Sequence, residues 1–196
     1  MHVTQTRARP ASPRTRLAIV LAAVLLASLF GLAASTATAR PALGASTFHS
    51  LELYAQKLLN CSRTGGRIRS DGTCAGYGSG SYSTKRAALP LRTGLSSVAR
   101  SWAKHLVATD ACQHGDLTAR LRTAGYSGSA WGENIGCSDY GTAKNAVLQS
   151  FLAFQREKAS NGGHWRNIKN AAYTSIGIGV WKANGRSRVV IDFYRP

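Results

Sequence analysis

The residues able to hold a metal or move a proton are few. The chain has 196 residues, 25 of them Lys or Arg, against 8 acidic residues and 5 histidines. Four segments gather His and Glu beside glycines. They are Cys112-Gln113-His114-Gly115-Asp116, Trp131-Gly132-Glu133-Asn134-Ile135, Phe154-Gln155-Arg156-Glu157, and the run from Asn161 through Gly163-His164-Trp165 to Ile168. Imidazole nitrogens and carboxylates are the groups that a divalent metal, or an acid–base step, requires. One covalent link would draw two of the segments together. If Cys112 pairs with Cys137, their Cα atoms lie about 5.5 Å apart, and His114 and Glu133 stand two and four residues from those ends. Each residue also has a plainer reading. His114 would suit the negative end of a helix dipole, Glu133 would cap a turn, and Glu157 would be a solvated helix-end acid beside Lys158. Asn167 and Ile168 read as structural, and His49 and His105 as solvent-facing.

Other catalytic arrangements are missing. The chain has no G-x-S-x-G elbow, no H-E-x-x-H and no Walker loop. Gly76-x-Gly78-x-Gly80 follows no strand, so it is a weak phosphate cradle. Four cysteines allow three pairings. Sequence order favours Cys61–Cys74 and Cys112–Cys137, each closing a short polar loop. A four-cysteine zinc site is the alternative, but no C-x2-C or C-x4-C spacing is present.

Several elements must position these residues. Ser46 or Thr47 caps a helix to about Asn60, with Phe48, Leu51, Tyr54 and Leu58 on one face. About 62–89 is a Gly/Ser-rich loop without regular structure. Leu95, Val98, Ala99, Trp102 and Leu106 make the strongest helical stripe, with Trp102 read as core. Leu117–Ala124 is a short helix stopped by Gly125. Thr142 caps a helix whose inner face is Ala143, Val147, Phe151 and Phe154, fading near Glu157. Alternation from Tyr173 to Val180, then Asn184-Gly185, then Val189, Ile191 and Phe193 reads as a β-hairpin with a type I′ turn. Helices first and an antiparallel pair last imply an α+β fold. A stable sheet needs a third strand, expected between Gly125 and Trp131 or in the loop before Leu95.

The N-terminus differs from the rest. Arg7, Arg9, Arg14 and Arg16 precede an almost wholly apolar stretch, Leu17–Ala34, and Ala37-Thr38-Ala39 is a small-x-small exit. This pattern is expected of a secretory signal peptide over 1–39, with a membrane anchor as the alternative. Residues 40–196 would then be one secreted domain. Without the four arginines it holds 21 basic and 8 acidic residues, a formal +13. Such a chain is attracted to anionic wall or envelope polymers. Its cations are dispersed, which argues against a dedicated nucleic-acid binder.

The ordered motifs resemble the CAP superfamily (SCP domain) in its bacterial secreted form. They run His114-Gly115, Gly132-Glu133-Asn134-Ile135, Phe154-x-x-Glu157, Gly163-His164-x-x-Asn167-Ile168 and Tyr173…Ile176-Gly177-Ile178-Gly179-Val180. The resemblance covers about Phe48 to Pro196. It implies an α-β-α sandwich with a small antiparallel sheet between helices, and a cavity tetrad of His114, Glu133, Glu157 and His164. Phe154 stands where the family often has Trp. The resemblance leaves two activities open. One is binding of an extracellular ligand or envelope material. The other is a metal-assisted hydrolase, with His114 and His164 holding a weakly bound divalent ion such as zinc and a glutamate activating water.

Overall fold

In the computed structural model the described residues are 45–76 and 84–196. The signal-peptide reading of 1–39 lies outside them, as does 77–83 of the glycine-rich loop. The described residues lie in one compact unit. Among the described residues no helix is long and apolar enough to cross a membrane.

The chain forms α1 (Ala45–Arg63), a two-residue ribbon of β1 (Arg67–Ile68) and β2 (Cys74–Ala75), α2 (Thr93–Ala108) and α3 (Leu117–Thr123). Then come β3 (Ala130–Ser138), α4 (Ala143–Arg156), a 3-10 turn (Glu157–Ser160), α5 (Gly163–Lys169), β4 (Ser175–Ala183) and β5 (Arg186–Arg195). The main sheet is antiparallel in the order β3-β5-β4. It is packed between helices, so the fold is the expected α-β-α sandwich. Strand alternation decides which helix meets which face. Ile176, Ile178, Val180, Val189, Ile191 and Phe193 join Leu58 of α1 and Phe151 of α4 in one core. The opposite face carries Val190 and Ile135 and packs against Ala99, Ala103 and Leu106 of α2. Gly177 and Gly179 allow that approach: a Cβ at either would lie 2.3 Å and 2.1 Å from the α2 backbone. The β4–β5 turn is as expected, with Asn184 at φ 50° and Gly185 at 81°.

Three expectations need correcting. The loop at 62–89 is not wholly irregular: α1 extends to Arg63, and β1 pairs with β2. Gln155 of α4 pins that ribbon, accepting from Ile68 N at 2.7 Å and donating to Ile68 O at 3.0 Å. The third strand begins at Ala130 but runs on to Ser138, through the Gly132-Glu133-Asn134-Ile135 motif, so Glu133 is a strand residue and caps no turn. The stretch before Leu95 adds only a bridge from Leu91 to Ile176. Trp102 is half-buried at the rim of α2, where it stacks on His105 and on the Arg120 guanidinium. Phe151 is core, with no exposure.

The cysteines pair as Cys61–Cys74 and Cys112–Cys137, with Cα separations of 5.8 Å and 6.2 Å. No free cysteine remains.

Candidate functional site

Two imidazole–carboxylate pairs, built by different parts of the fold, face one another. His114 lies in the connection from α2 to α3, which the Cys112–Cys137 bridge fastens to β3. Its Nδ1 hydrogen-bonds with Glu133 Oε1 at 2.9 Å. The Glu133 side chain is 3 % exposed and that of His114 is 59 % exposed. Asp116 caps α3 by accepting from Ala119 N at 2.8 Å, and α3 in turn brings Arg120 over the pair. The Arg120 guanidinium donates to Glu133 Oε2 and, at 2.6 Å, to the His114 carbonyl. It lies 4.1 Å from the Trp102 ring centre, a cation–π contact.

The second pair comes from the end of α4. Glu157 opens the 3-10 turn, and its Oε1 meets His164 Nδ1 at 2.5 Å while Oε2 accepts from His164 N at 2.9 Å. Phe154, one turn earlier, stacks on the His164 ring with centroids 4.5 Å apart. The motif Phe154-x-x-Glu157 thus supplies both the platform and the carboxylate. Gly162 makes room: a Cβ there would stand 2.5 Å from the Glu157 carboxylate.

Two asparagines join the halves. Asn134 donates to the His164 carbonyl at 3.0 Å. Asn167 donates to Asn134 Oδ1 at 2.8 Å and to the Glu133 carbonyl at 3.1 Å. The structural reading of Asn167 therefore fits its place, and Asn134 is structural in the same way. His114, Glu133, Glu157 and His164 line one open cavity of about 460 Å³, with Ser160 and Asn167 on its wall. His49 and His105 are exposed and outside it.

Sequence reasoning missed Arg120 and Asp192. Asp192 sits opposite Glu133 in the β3–β5 register, with no exposure and no donor on either carboxylate oxygen. Burial, then the nearby Glu133 charge, holds its carboxyl well above the usual range. Burial also pushes Glu133 up to about 7, against the opposing pull of the Arg120 guanidinium. Both carboxyls therefore hold a proton more readily than an exposed carboxylate does. Of the two, Glu133 is the one that Arg120 and His114 face. Glu157 behaves oppositely. Burial would raise it, but hydrogen bonds from the His164 ring and from the backbone at His164 and Trp165 hold it below the ordinary range.

The donor set bears on a metal. Each imidazole has its Nδ1 fixed by a carboxylate, the outer-shell arrangement common for histidine ligands, in which the second ring nitrogen coordinates. The chemistry of His114 and of His164 thus suits imidazole ligation. Among the described residues no group of three His, Cys, Asp or Glu could hold an ion, so any metal site here would be open and weak.

A three-stranded antiparallel sheet between helices, with paired His and Glu in one surface cavity, defines an α-β-α protein of the SCP-domain kind. The chain belongs to the cysteine-rich secretory protein family (CAP), which matches residues 60–193. Solved structures agree at the level of the fold. An extracellular protein containing an SCP domain from Bacillus anthracis is 17 % identical with a TM-score of 0.56, over 80 % of this chain and 45 % of that one. The CAP domain of enterococcal PrgA is 17 % identical, TM-score 0.54, over 78 % of this chain and 63 % of that one. A cysteine-rich secretory protein from Staphylococcus aureus is 13 % identical, TM-score 0.50, over 78 % and 41 %. This chain therefore spans less than half the length of two of the three. Comparison with curated protein sequences yields no match.

Proposed function

We propose that this is an exported binding domain whose His/Glu cavity holds a small polar ligand outside the cell. The carrying observation is the pair of carboxylate-fixed imidazoles facing one open cavity. Ring nitrogens presented from two rigid halves, with an ionised Glu157 alongside, form a preorganised set of donors and acceptors. Export is supported by the leader-like N-terminus, by the two disulfides, which suit an oxidising compartment, and by the extracellular and secretory neighbours. The basic surface would keep the domain near anionic wall or envelope polymers.

A metal-assisted hydrolase is the second reading. It is favoured by Glu133, a carboxyl pushed up to about 7 and held against His114, which suits a proton acceptor near neutrality. His114 and His164 would hold the divalent ion, and the ion would supply Lewis-acid polarisation when bound. The discriminating experiment monitors the two imidazoles by NMR while small polar compounds are added, alongside turnover assays on peptide libraries. Binding that needs both histidines, without turnover, supports the first reading. Turnover lost in Glu133→Ala supports the second.

A further inference from the structure

The β3 edge has a feature that the tetrad does not use. In an antiparallel sheet, successive residues turn their backbone groups to opposite neighbours. Ile176 turns away from β5, since its N–H donates to Pro90 and its carbonyl accepts from Arg92. Gly177 therefore bonds Asp192 across the ladder, and Ile191 turns instead to Asn134. It follows that Trp131, Glu133, Ile135 and Cys137 turn their backbone outward. The first two carbonyls are taken, Trp131 O by the Tyr173 hydroxyl and Glu133 O by Asn167. Among the described residues nothing pairs with the outward N–H and C=O of Ile135 and Cys137.

These groups open into a groove of about 480 Å³ between the β3 edge and the side of α4. The α4 wall presents Ala146, Gln149, Ala153 and Phe154, positions that share one helical face. The groove runs into the tetrad cavity, because Glu157 and His164 line both. In a chain of formal charge +17, no Lys or Arg lines this groove. An anionic polymer strand has nothing to pair with there. Two outward amide pairs, side-chain amides at Asn145 and Gln149, and an apolar floor suit the main chain of a peptide.

We infer that the β3 edge and α4 form a binding groove for an extended, proline-free peptide segment. The segment adds as a fourth strand against Ile135 and Cys137 and delivers its end to His164 and Glu157. Backbone pairing supplies recognition in the manner of strand addition to a sheet edge, and alternate side chains point onto Ala153 and Phe154. This deepens the proposed function by naming the ligand class, and it rests on that reading.

The test uses a library of blocked, proline-free heptapeptides and the 15N-labelled protein. The best binder is expected to slow hydrogen exchange at the Ile135 and Cys137 amides. A single N-methylation, walked along the peptide, should weaken binding about fivefold at positions of one register and little at those of the other, each lost hydrogen bond being worth roughly 1 kcal/mol. Ala153→Arg, which fills the groove wall, should abolish binding while the His114 and His164 ring signals stay unchanged. No binder in the library, equal loss in both methylated registers, or protection at another edge overturns the inference. The tetrad reading is tested separately by small polar compounds, so the two can fail independently.

Discussion

Asp192 interrupts an otherwise apolar run from Val189 to Tyr194, and its partner across the ladder is another acid, Glu133. Two like charges in a buried place cannot both persist, and the pair's raised proton affinity has a definite sign for stability. Both carboxyls bind protons more tightly folded than unfolded. Their contribution is therefore fully present below the ordinary carboxylate range and is lost as pH rises through about 7. Asp192→Asn keeps a hydrogen-bond donor beside Glu133 and removes the titration. It should raise stability more at pH 8 than at pH 5, as measured by denaturant unfolding at both values. Arg120→Ala should do the reverse. Stripping a buried carboxylate of its cation costs about 3 kcal/mol at pH 8 and less at pH 5, where Glu133 takes a proton instead. A pH-independent loss would mean that Arg120 acts only through its packing on Trp102. At this scale the four tetrad residues were legible because their types suit chemistry and their glycine-flanked motifs resemble a known family. Arg120 and Asp192 were not. One is an ordinary helix arginine until α3 folds over the pair, and the other is a single exception in a pattern read for its apolar members.

The elements recovered best from sequence are those whose burial follows one period. The inner face of α4, namely Ala143, Val147, Phe151 and Phe154, is buried throughout, and Thr142 accepts from Asn145 N as its cap. The extent of β3 was missed because its inner positions are Gly132, Asn134 and Gly136, where facing side chains take up the space a larger residue would fill. A Cβ on Gly132 would meet the Tyr173 hydroxyl at 2.3 Å, and one on Gly136 the Ser150 hydroxyl at 2.0 Å. Such a strand carries little apolar alternation. The β1–β2 ribbon was hidden for a related reason: it is held by Gln155 and a disulfide rather than by its own side chains. Replacing Cys112 and Cys137 together by Ser should cost about 3.5 kcal/mol in the chain-entropy view, and the Cys61–Cys74 pair about 3 kcal/mol. Only the first change touches the connection that carries His114. It should therefore broaden or shift the His114 ring signals, and the second should leave them in place. Equal effects on the His114 ring would show that the bridge does not position the site.

Charge and cavity act at the scale of the whole molecule. A formal +17 spread along the chain acts through the field around the surface and not through any one contact. Retention on an anionic polymer matrix should fall about tenfold or more between 50 and 200 mM salt. The His114→Ala variant should be retained as well as the parent, because the surface and the cavity are separate devices. Salt-insensitive retention would point to a specific site instead. The cavity is where the two halves of the molecule meet: α2, α3 and β3 hold His114 and Glu133, while α4 and α5 hold Glu157 and His164. Under the proposed function these halves act on one ligand. The most direct test is NMR observation of both imidazole rings while a panel of small polar compounds, blocked dipeptides and sugars among them, is titrated in. Any compound shifting the His114 ring should also shift the His164 ring with the same affinity, and His114→Ala or Glu157→Gln should abolish the effect at both. Separate affinities at the two rings, or shifts at one that survive loss of the other, would contradict it.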